Sequence, residues 1–139
     1  MLFSYTDDME PTQVSPVGNK ILVVEDEHFI SELYNRALTK AGYLVDSVSD
    51  GQKGLAAAQT DKYDIILLDL MVPTITGIEI LRTLRDKRLT PRLHARIIVT
   101  TNVEQCEEIR ADIEGQADGY LIKAEITPRQ LVEFLAKLT

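Results

Sequence analysis

The sequence predicts an α/β domain: a three-layer, doubly wound sheet of five parallel strands with helices on both faces. Three observations carry this. Five short apolar runs recur along the chain, ILVV at 21–24, YLVDSV at 43–48, DIILL at 64–68, ARIIVT at 95–100 and GYLIK at 119–123. Helical stretches separate them, so each strand feeds a crossover helix, which is how neighbouring strands are kept parallel. The first, third and fourth runs are apolar nearly throughout and rich in β-branched residues, as strands covered on both faces must be. The second alternates and is expected at an edge.

Residues 1–19 carry Pro11, Pro16, Gly18 and small polar residues without a sustained period. They read as a flexible leader or linker, and the domain itself is expected over 20–139. After the first strand, Phe29, Leu33, Ala37 and Leu38 give a helical stripe that Gly42 stops. After the third, Ile78, Leu81 and Leu84 give another, and Leu131, Leu135 and Leu138 line the last helix. Helix starts are expected at Ser49 with Gln52, Thr76 with Glu79, Asn102 with Gln105, and Thr127 with Gln130. Each pair has capping-box spacing, and Pro128 suits the first turn after Thr127.

Composition narrows the function. The chain has 139 residues, 45% of them hydrophobic and 27% charged, which fits one compact domain rather than a disordered segment. A formal net charge of -7, from 22 acidic and 15 basic residues, argues against broad contact with nucleic-acid phosphates. One cysteine, Cys106, excludes an internal disulfide, and two histidines beside it make a zinc cluster a poor expectation. The N-terminus lacks a signal-peptide pattern, and no apolar run nears the roughly 20 residues of a membrane span. The expected location is cytoplasmic. A glycine-rich dinucleotide loop, a GxSxG turn and a GKS/GKT motif are all absent.

Chemistry concentrates where the strands end. In an open α/β sheet, ligands bind beyond the carboxyl ends of the strands. The first strand delivers Glu25, Asp26 and Glu27, the third Asp69, the fourth Thr100 and Thr101, and the fifth Lys123. Carboxylates crowded together raise one another's proton affinity or attract a cation, and magnesium, with its octahedral oxygen shell, suits such a set. The Met71 carbonyl, just past Asp69, is a candidate for a further oxygen ligand. Lys123 and Thr100 are placed to grip phosphoryl oxygens. A nucleophile, a cation, a lysine and a hydroxyl donor are the parts that phosphoryl transfer to a carboxylate requires. Taken singly each residue has a plain explanation, since strand-end acids often solvate a rim; their joint occurrence at four strand ends does not.

VVEDE at 23–27, LLDLMVPTITG at 67–77, IIVTTN at 97–102 and DGYLIK at 118–123, in that order and spacing, resemble the receiver domain of two-component response regulators. The resemblance covers residues 20 to 139. It implies a flavodoxin-like (βα)5 fold with strand order 2-1-3-4-5. It implies that Asp69 accepts a phosphoryl group from a histidine kinase or phosphotransfer protein. Glu25, Asp26, Asp69 and the Met71 carbonyl are then the ligands of Mg2+, or of Mn2+ in its place. Thr100 corresponds to the switch hydroxyl, Lys123 to the phosphoryl-binding lysine, and Tyr120 to the aromatic whose rotamer reports phosphorylation. The domain so implied is a regulatory phosphoacceptor with self-limited autodephosphorylation, not an enzyme. It signals through the face of strand 4, helix 4 and strand 5 to a downstream protein or a second copy.

Three positions depart from the commoner pattern. Ala124 follows Lys123 where many receivers carry proline, so the loop 123–127 is expected to be trans and differently shaped. Thr101 is β-branched beside the switch threonine and is expected to narrow the pocket. Met71 offers no polar side chain to orient hydrolytic water, which points to a longer-lived acyl phosphate. No output domain is expected after the fifth helix, so the chain reads as a stand-alone regulator or as the receiver of a longer protein. Glu104, Glu107, Glu108, Arg110 and Asp112 read as a solvated, mostly acidic face of the fourth helix. A non-phosphorylated scaffold of the same fold is the competing reading, and a phosphatase using Asp69 a weaker one.

Overall fold

The computed structural model describes residues 20–102 and 105–138. The expected leader at 1–19 and Glu104 of the acidic face lie outside the described residues. Five strands, β1 (Lys20–Val24), β2 (Leu44–Val48), β3 (Ile65–Asp69), β4 (Arg96–Thr101) and β5 (Gly119–Ile122), alternate with helices. The helices are α1 (His28–Lys40), α2 (Gly51–Ala58), α3 (Gly77–Arg85), α4 (Glu107–Glu114) and α5 (Pro128–Ala136). All strand pairs are parallel and the order is β2-β1-β3-β4-β5, the flavodoxin-like order implied by the resemblance. β2 is an edge strand with three of its five residues exposed, in line with its alternating sequence.

Alternation along the central strands divides the core into two layers, because successive Cβ atoms point to opposite faces. Leu22, Val24, Ile66, Leu68, Ile97 and Val99 pack on one face against Ile80, Leu81 and Leu84 of α3. Ile21, Val23, Ile65, Leu67 and Ile98 pack on the other, against Tyr34 and Leu38 of α1 and Leu131 and Leu135 of α5. Burying each such side chain contributes about 1.5–3 kcal/mol, so the three inner strands anchor the frame from which the site projects.

The expected stripe of α1 holds at Leu38, which is fully buried, and fails at its other end. Phe29 is 71% exposed, and the buried face runs through Tyr34 and Leu38 with Ile30 packed against it. The two registers differ by one residue, about 100° around the helix, and the polar-tipped Tyr34 disguised the buried one. Leu33 and Ala37 are half-buried between the two.

Capping boxes form at Thr76 with Glu79 and at Thr127 with Gln130, and Pro128 opens α5 as expected. The other two start signals are corrected. Asp50, not Ser49, caps α2, accepting from the Lys53 N–H at 2.8 Å. α4 begins at Glu107 after Cys106, so Asn102 with Gln105 is not a helix start. α1 ends at Lys40, and Gly42 has φ 105°, the left-handed conformation that favours glycine after a helix. Lys123–Glu125 make one 3-10 turn, and no cis peptide bond occurs among the described residues.

Candidate functional site

β3 ends on Asp69, whose partner across the sheet is Thr100 of β4; both residues are 2% exposed. The chain leaving β1 delivers Glu25, also 2% exposed, and then the exposed Asp26. A carboxylate oxygen of each of Glu25, Asp26 and Asp69 lies within 4.8 Å of the others. Lys123, at the end of β5, places Nζ 2.5 Å from Glu25 Oε1 and 3.2 Å from Asp69 Oδ2. The shorter contact is a close ion pair that lacks hydrogen-bond alignment.

The remaining oxygens are held by local main chain. Asp69 Oδ1 accepts from the Met71 N–H at 3.2 Å, and Glu25 Oε2 accepts from the Glu27 N–H at 3.1 Å. Each acid is therefore oriented by its own loop on one side and by Lys123 on the other. The Met71 side chain is 69% exposed, so the polar contact to Asp69 comes from its main chain.

Three carboxylates against one ammonium leave an excess of two negative charges when all are ionised. Such oxygen ligands, at this spacing and this charge, fit a hard divalent cation. Burial raises the proton affinity of Glu25; the Lys123 contact lowers it and the Asp69 charge raises it again, and the net shift is upward. Burial alone would lower the Lys123 pKa. Its contact with Glu25 and the charge on Asp69 outweigh that and hold it above the ordinary lysine range, so the ammonium stays charged.

The loop after Asp69 is held tightly. Leu70 N–H donates to the Thr100 carbonyl at 3.1 Å, and Gly77 N–H donates to the Leu70 carbonyl at 3.0 Å. A Cβ on Gly77 would collide with the Asp69 carbonyl oxygen and the Leu70 Cα, so only glycine lets α3 start this close to Asp69. α2 braces the same loop. Gly51 N–H donates to the Pro73 carbonyl at 2.8 Å, and Gln52 N–H to Thr74 Oγ1 at 3.0 Å. Thr74 has φ 71°. Sequence reading passed over this bracing because its partners lie 22 positions apart in the chain.

Glu25, Asp26, Asp69 and Lys123 are thus brought into one cluster, with Thr100 beside Asp69 in the sheet register. Tyr120 lies apart from them, half-buried, packed with the core layer that includes Val99 and Ile113 of α4. Its hydroxyl accepts from the Gln105 N–H at 3.2 Å, and the Arg110 guanidinium stands 4.7 Å from its ring centroid. Gln105 Nε2 donates to Thr101 Oγ1 at 3.3 Å. These roles of Gln105 and Arg110 carried no linear signal; Gln105 resembled a capping partner and Arg110 a solvated cation. Glu107 and Glu108 are exposed as expected, whereas Asp112 pairs with Arg82 of α3 at 2.8 Å.

Beside Asp26, a polar cleft of about 650 Å³ opens between α1 and the β2–α2 side, lined by His28, Arg36 and Lys53 among others. No helix among the described residues is long and apolar enough to cross a membrane.

A family model described as the response regulator receiver domain matches residues 21–136. Response regulator ArlR of Staphylococcus aureus is 38% identical over 119 residues, covering 86% of this chain and 50% of ArlR. The chain thus spans about half the length of the curated relatives it matches. Among solved structures, the Vibrio cholerae chemotaxis protein CheY4 superimposes with a TM-score of 0.72 at 28% identity, over 86% of this chain and 98% of that one. The receiver domain of the sensor histidine kinase PA1611 of Pseudomonas aeruginosa does so with a TM-score of 0.73 at 27% identity, over 86% and 96%. That structure holds a magnesium ion coordinated in its active-site cleft.

Proposed function

The chain belongs to the family of response regulator receiver domains, and from that premise we propose that it is a phosphorylation-dependent switch whose acceptor is Asp69. The observation that carries the proposal is the Asp69 carboxylate, buried at the end of β3 with the Lys123 ammonium 3.2 Å from one oxygen. The donor is a phosphohistidine of a sensor kinase or phosphotransfer protein. An Asp69 oxygen attacks phosphorus, the bond from phosphorus to the donor nitrogen breaks, and that nitrogen keeps the electron pair. The product is an acyl phosphate on Asp69.

This chain's residues supply orientation and charge. The Met71 N–H and Lys123 fix the Asp69 carboxylate from two sides. Lys123 also offsets the charge that three added phosphoryl oxygens bring into a buried site. Glu25, Asp26, Asp69 and the Met71 carbonyl are the proposed ligands of Mg2+, with Mn2+ as a substitute. When bound, such an ion draws negative charge from the transferring phosphoryl oxygens. The magnesium ion reported in the receiver domain of PA1611 supports that choice.

Signal output follows from the sheet. A phosphoryl group on Asp69 draws the Thr100 hydroxyl toward it, and the resulting movement of β4 changes how Tyr120 packs against α4. The face of β4, α4 and β5 then presents a different surface to a downstream protein or a second copy. Hydrolysis of the acyl phosphate resets the switch, and the apolar Met71 side chain, which cannot orient water, makes that step slow.

Residues 20–139 form the receiver under this proposal, with 1–19 as leader or linker. Incubation with Mg2+ and acetyl phosphate tests the assignment. Intact-mass measurement should show one added phosphoryl group, which does not form when Mg2+ is chelated beforehand and is absent in Asp69→Asn. A chain that stays unmodified while a known receiver reacts would instead be a scaffold.

A further inference from the structure

Resting on the reading of Tyr120 as the switch aromatic, we propose that Arg110 and Gln105 are positioning residues that hold the Tyr120 ring in its resting orientation and so set the threshold for activation.

The side chain is gripped at both ends. The Arg110 guanidinium stands 4.7 Å from the ring centroid, and the Gln105 N–H donates to the ring hydroxyl at 3.2 Å. Both contacts come from α4 or the segment leading into it, whereas Tyr120 belongs to β5. The Arg110 head is steered by Glu114, one turn further along α4, whose Oε2 lies 3.5 Å from Nε. On the other side, the Gln105 amide reaches Thr101 Oγ1 at 3.3 Å.

This chain of contacts connects the ring to the acceptor. Thr101 is fully buried and follows Thr100, the residue paired with Asp69 in the sheet. Displacing Thr100 toward a phosphoryl group moves Thr101 with it, since they share a peptide unit. The same displacement pulls on Gln105 and therefore on the donor that holds the Tyr120 hydroxyl. Arg110 opposes the resulting release, because its attraction to the ring face exists only while the ring stays under the guanidinium. An interaction present in one state and absent from the other biases the equilibrium between them by its full strength.

The test uses the full chain carrying 3-fluorotyrosine, with the Tyr120 fluorine resonance assigned from Tyr120→Phe. Each variant is titrated with beryllofluoride, a phosphoryl mimic, at saturating Mg2+. Arg110→Ala should move the Tyr120 resonance toward its beryllofluoride-saturated position before any mimic is added. It should also lower the half-saturating concentration about two- to fivefold, the range expected for a cation–π contact at a partly exposed ring. Arg110→Lys, which keeps the charge, should fall between the two. Gln105→Ala keeps the N–H that holds the ring hydroxyl but cuts the link to Thr101, so its resting resonance should stay in place and its half-saturating concentration should rise.

Arg129→Ala removes an exposed α5 cation paired with Glu133 and should behave as wild type. Overlay of Arg110→Ala and wild type in both resonance and midpoint overturns the proposal. So does a changed midpoint without a changed resonance, which marks a long-range charge effect. If the mimic binds wild type but leaves its Tyr120 resonance in place, Tyr120 is not a switch and the proposal fails with that role. If the mimic does not bind wild type at all, it is the phosphoacceptor reading that fails.

Discussion

Lys123 Nζ lies 3.2 Å from Asp69 Oδ2, with both side chains almost fully removed from solvent. The contact sets the electrostatic character of the site, because the same ammonium also meets Glu25 at 2.5 Å. One cation serves two buried acids, while the third acid, Asp26, faces solvent at the mouth. Charge is therefore only partly compensated.

Replacing Lys123 with Met should destabilise the protein in chelator by about 3 kcal/mol, the lower end for stranding buried charge, since the exposed Asp26 side admits water. Added Mg2+ should recover more stability in this variant than in wild type, because the ion no longer competes with the ammonium. Thermal melts in chelator and in Mg2+ give both quantities. Equal Mg2+ stabilisation in the two proteins would show that Lys123 and the cation do not share a field.

Gly77→Ala places a Cβ against the Asp69 carbonyl and Leu70 Cα. The expected cost is about 1–3 kcal/mol of stability, as for overpacking elsewhere. A loss of Mg2+ affinity should accompany it, since the displaced backbone carries the Asp69 carboxylate. Urea unfolding and Mg2+ titration on the same variant read the two effects, and stability loss without weaker Mg2+ binding would separate Gly77 from the site.

Helix α2 provides a local control on capping. Asp50→Ala should cost about 1 kcal/mol, the usual effect of losing an N-cap acceptor, while Ser49→Ala should stay within about 0.5 kcal/mol. Urea midpoints at constant slope decide between them. The reverse ranking would return the cap to Ser49.

His94 gives a pH signature outside the Asp69 cluster. Nε2 meets Asp64 Oδ1 at 3.2 Å and Nδ1 meets Asp61 Oδ1 at 2.6 Å. The hydrogen bond to Asp64, then that to Asp61, raise the imidazole pKa in the folded state. A raised folded-state value favours the protonated form. The stabilisation is therefore complete below the unfolded value of roughly 6.5 and is lost as pH rises through the folded value. His94→Gln should flatten that stretch of the stability–pH curve. The histidine side chain is 53% exposed, so the amplitude will be small. An unchanged curve in the variant would remove His94 from the account.

The sheet was legible because its three inner strands are apolar on both faces, a pattern that few other arrangements produce. Asp69 was legible for the same reason: an acid directly after IILL must sit at a strand end. Helix faces were less so. In α1, Phe29 outweighed Tyr34 by hydrophobicity, yet the tyrosine is the buried one, its ring covering the core beside Leu38. Helix starts failed where a neighbouring residue offered an equal side-chain acceptor, as Asp50 did next to Ser49. The brackets around Tyr120 and Thr74 depend on contacts between segments distant in sequence or separated by a turn, for which no periodicity exists.

The central claim is that Asp69 is the residue that carries the phosphoryl group. Borohydride reduces an aspartyl phosphate to homoserine, so treating the acetyl phosphate-reacted protein and mapping its peptides locates the modified side chain. The account predicts homoserine at position 69, formed only when Mg2+ is present. Homoserine at Asp26 or another carboxylate, or none in a protein whose mass shows a bound phosphoryl group, would contradict it.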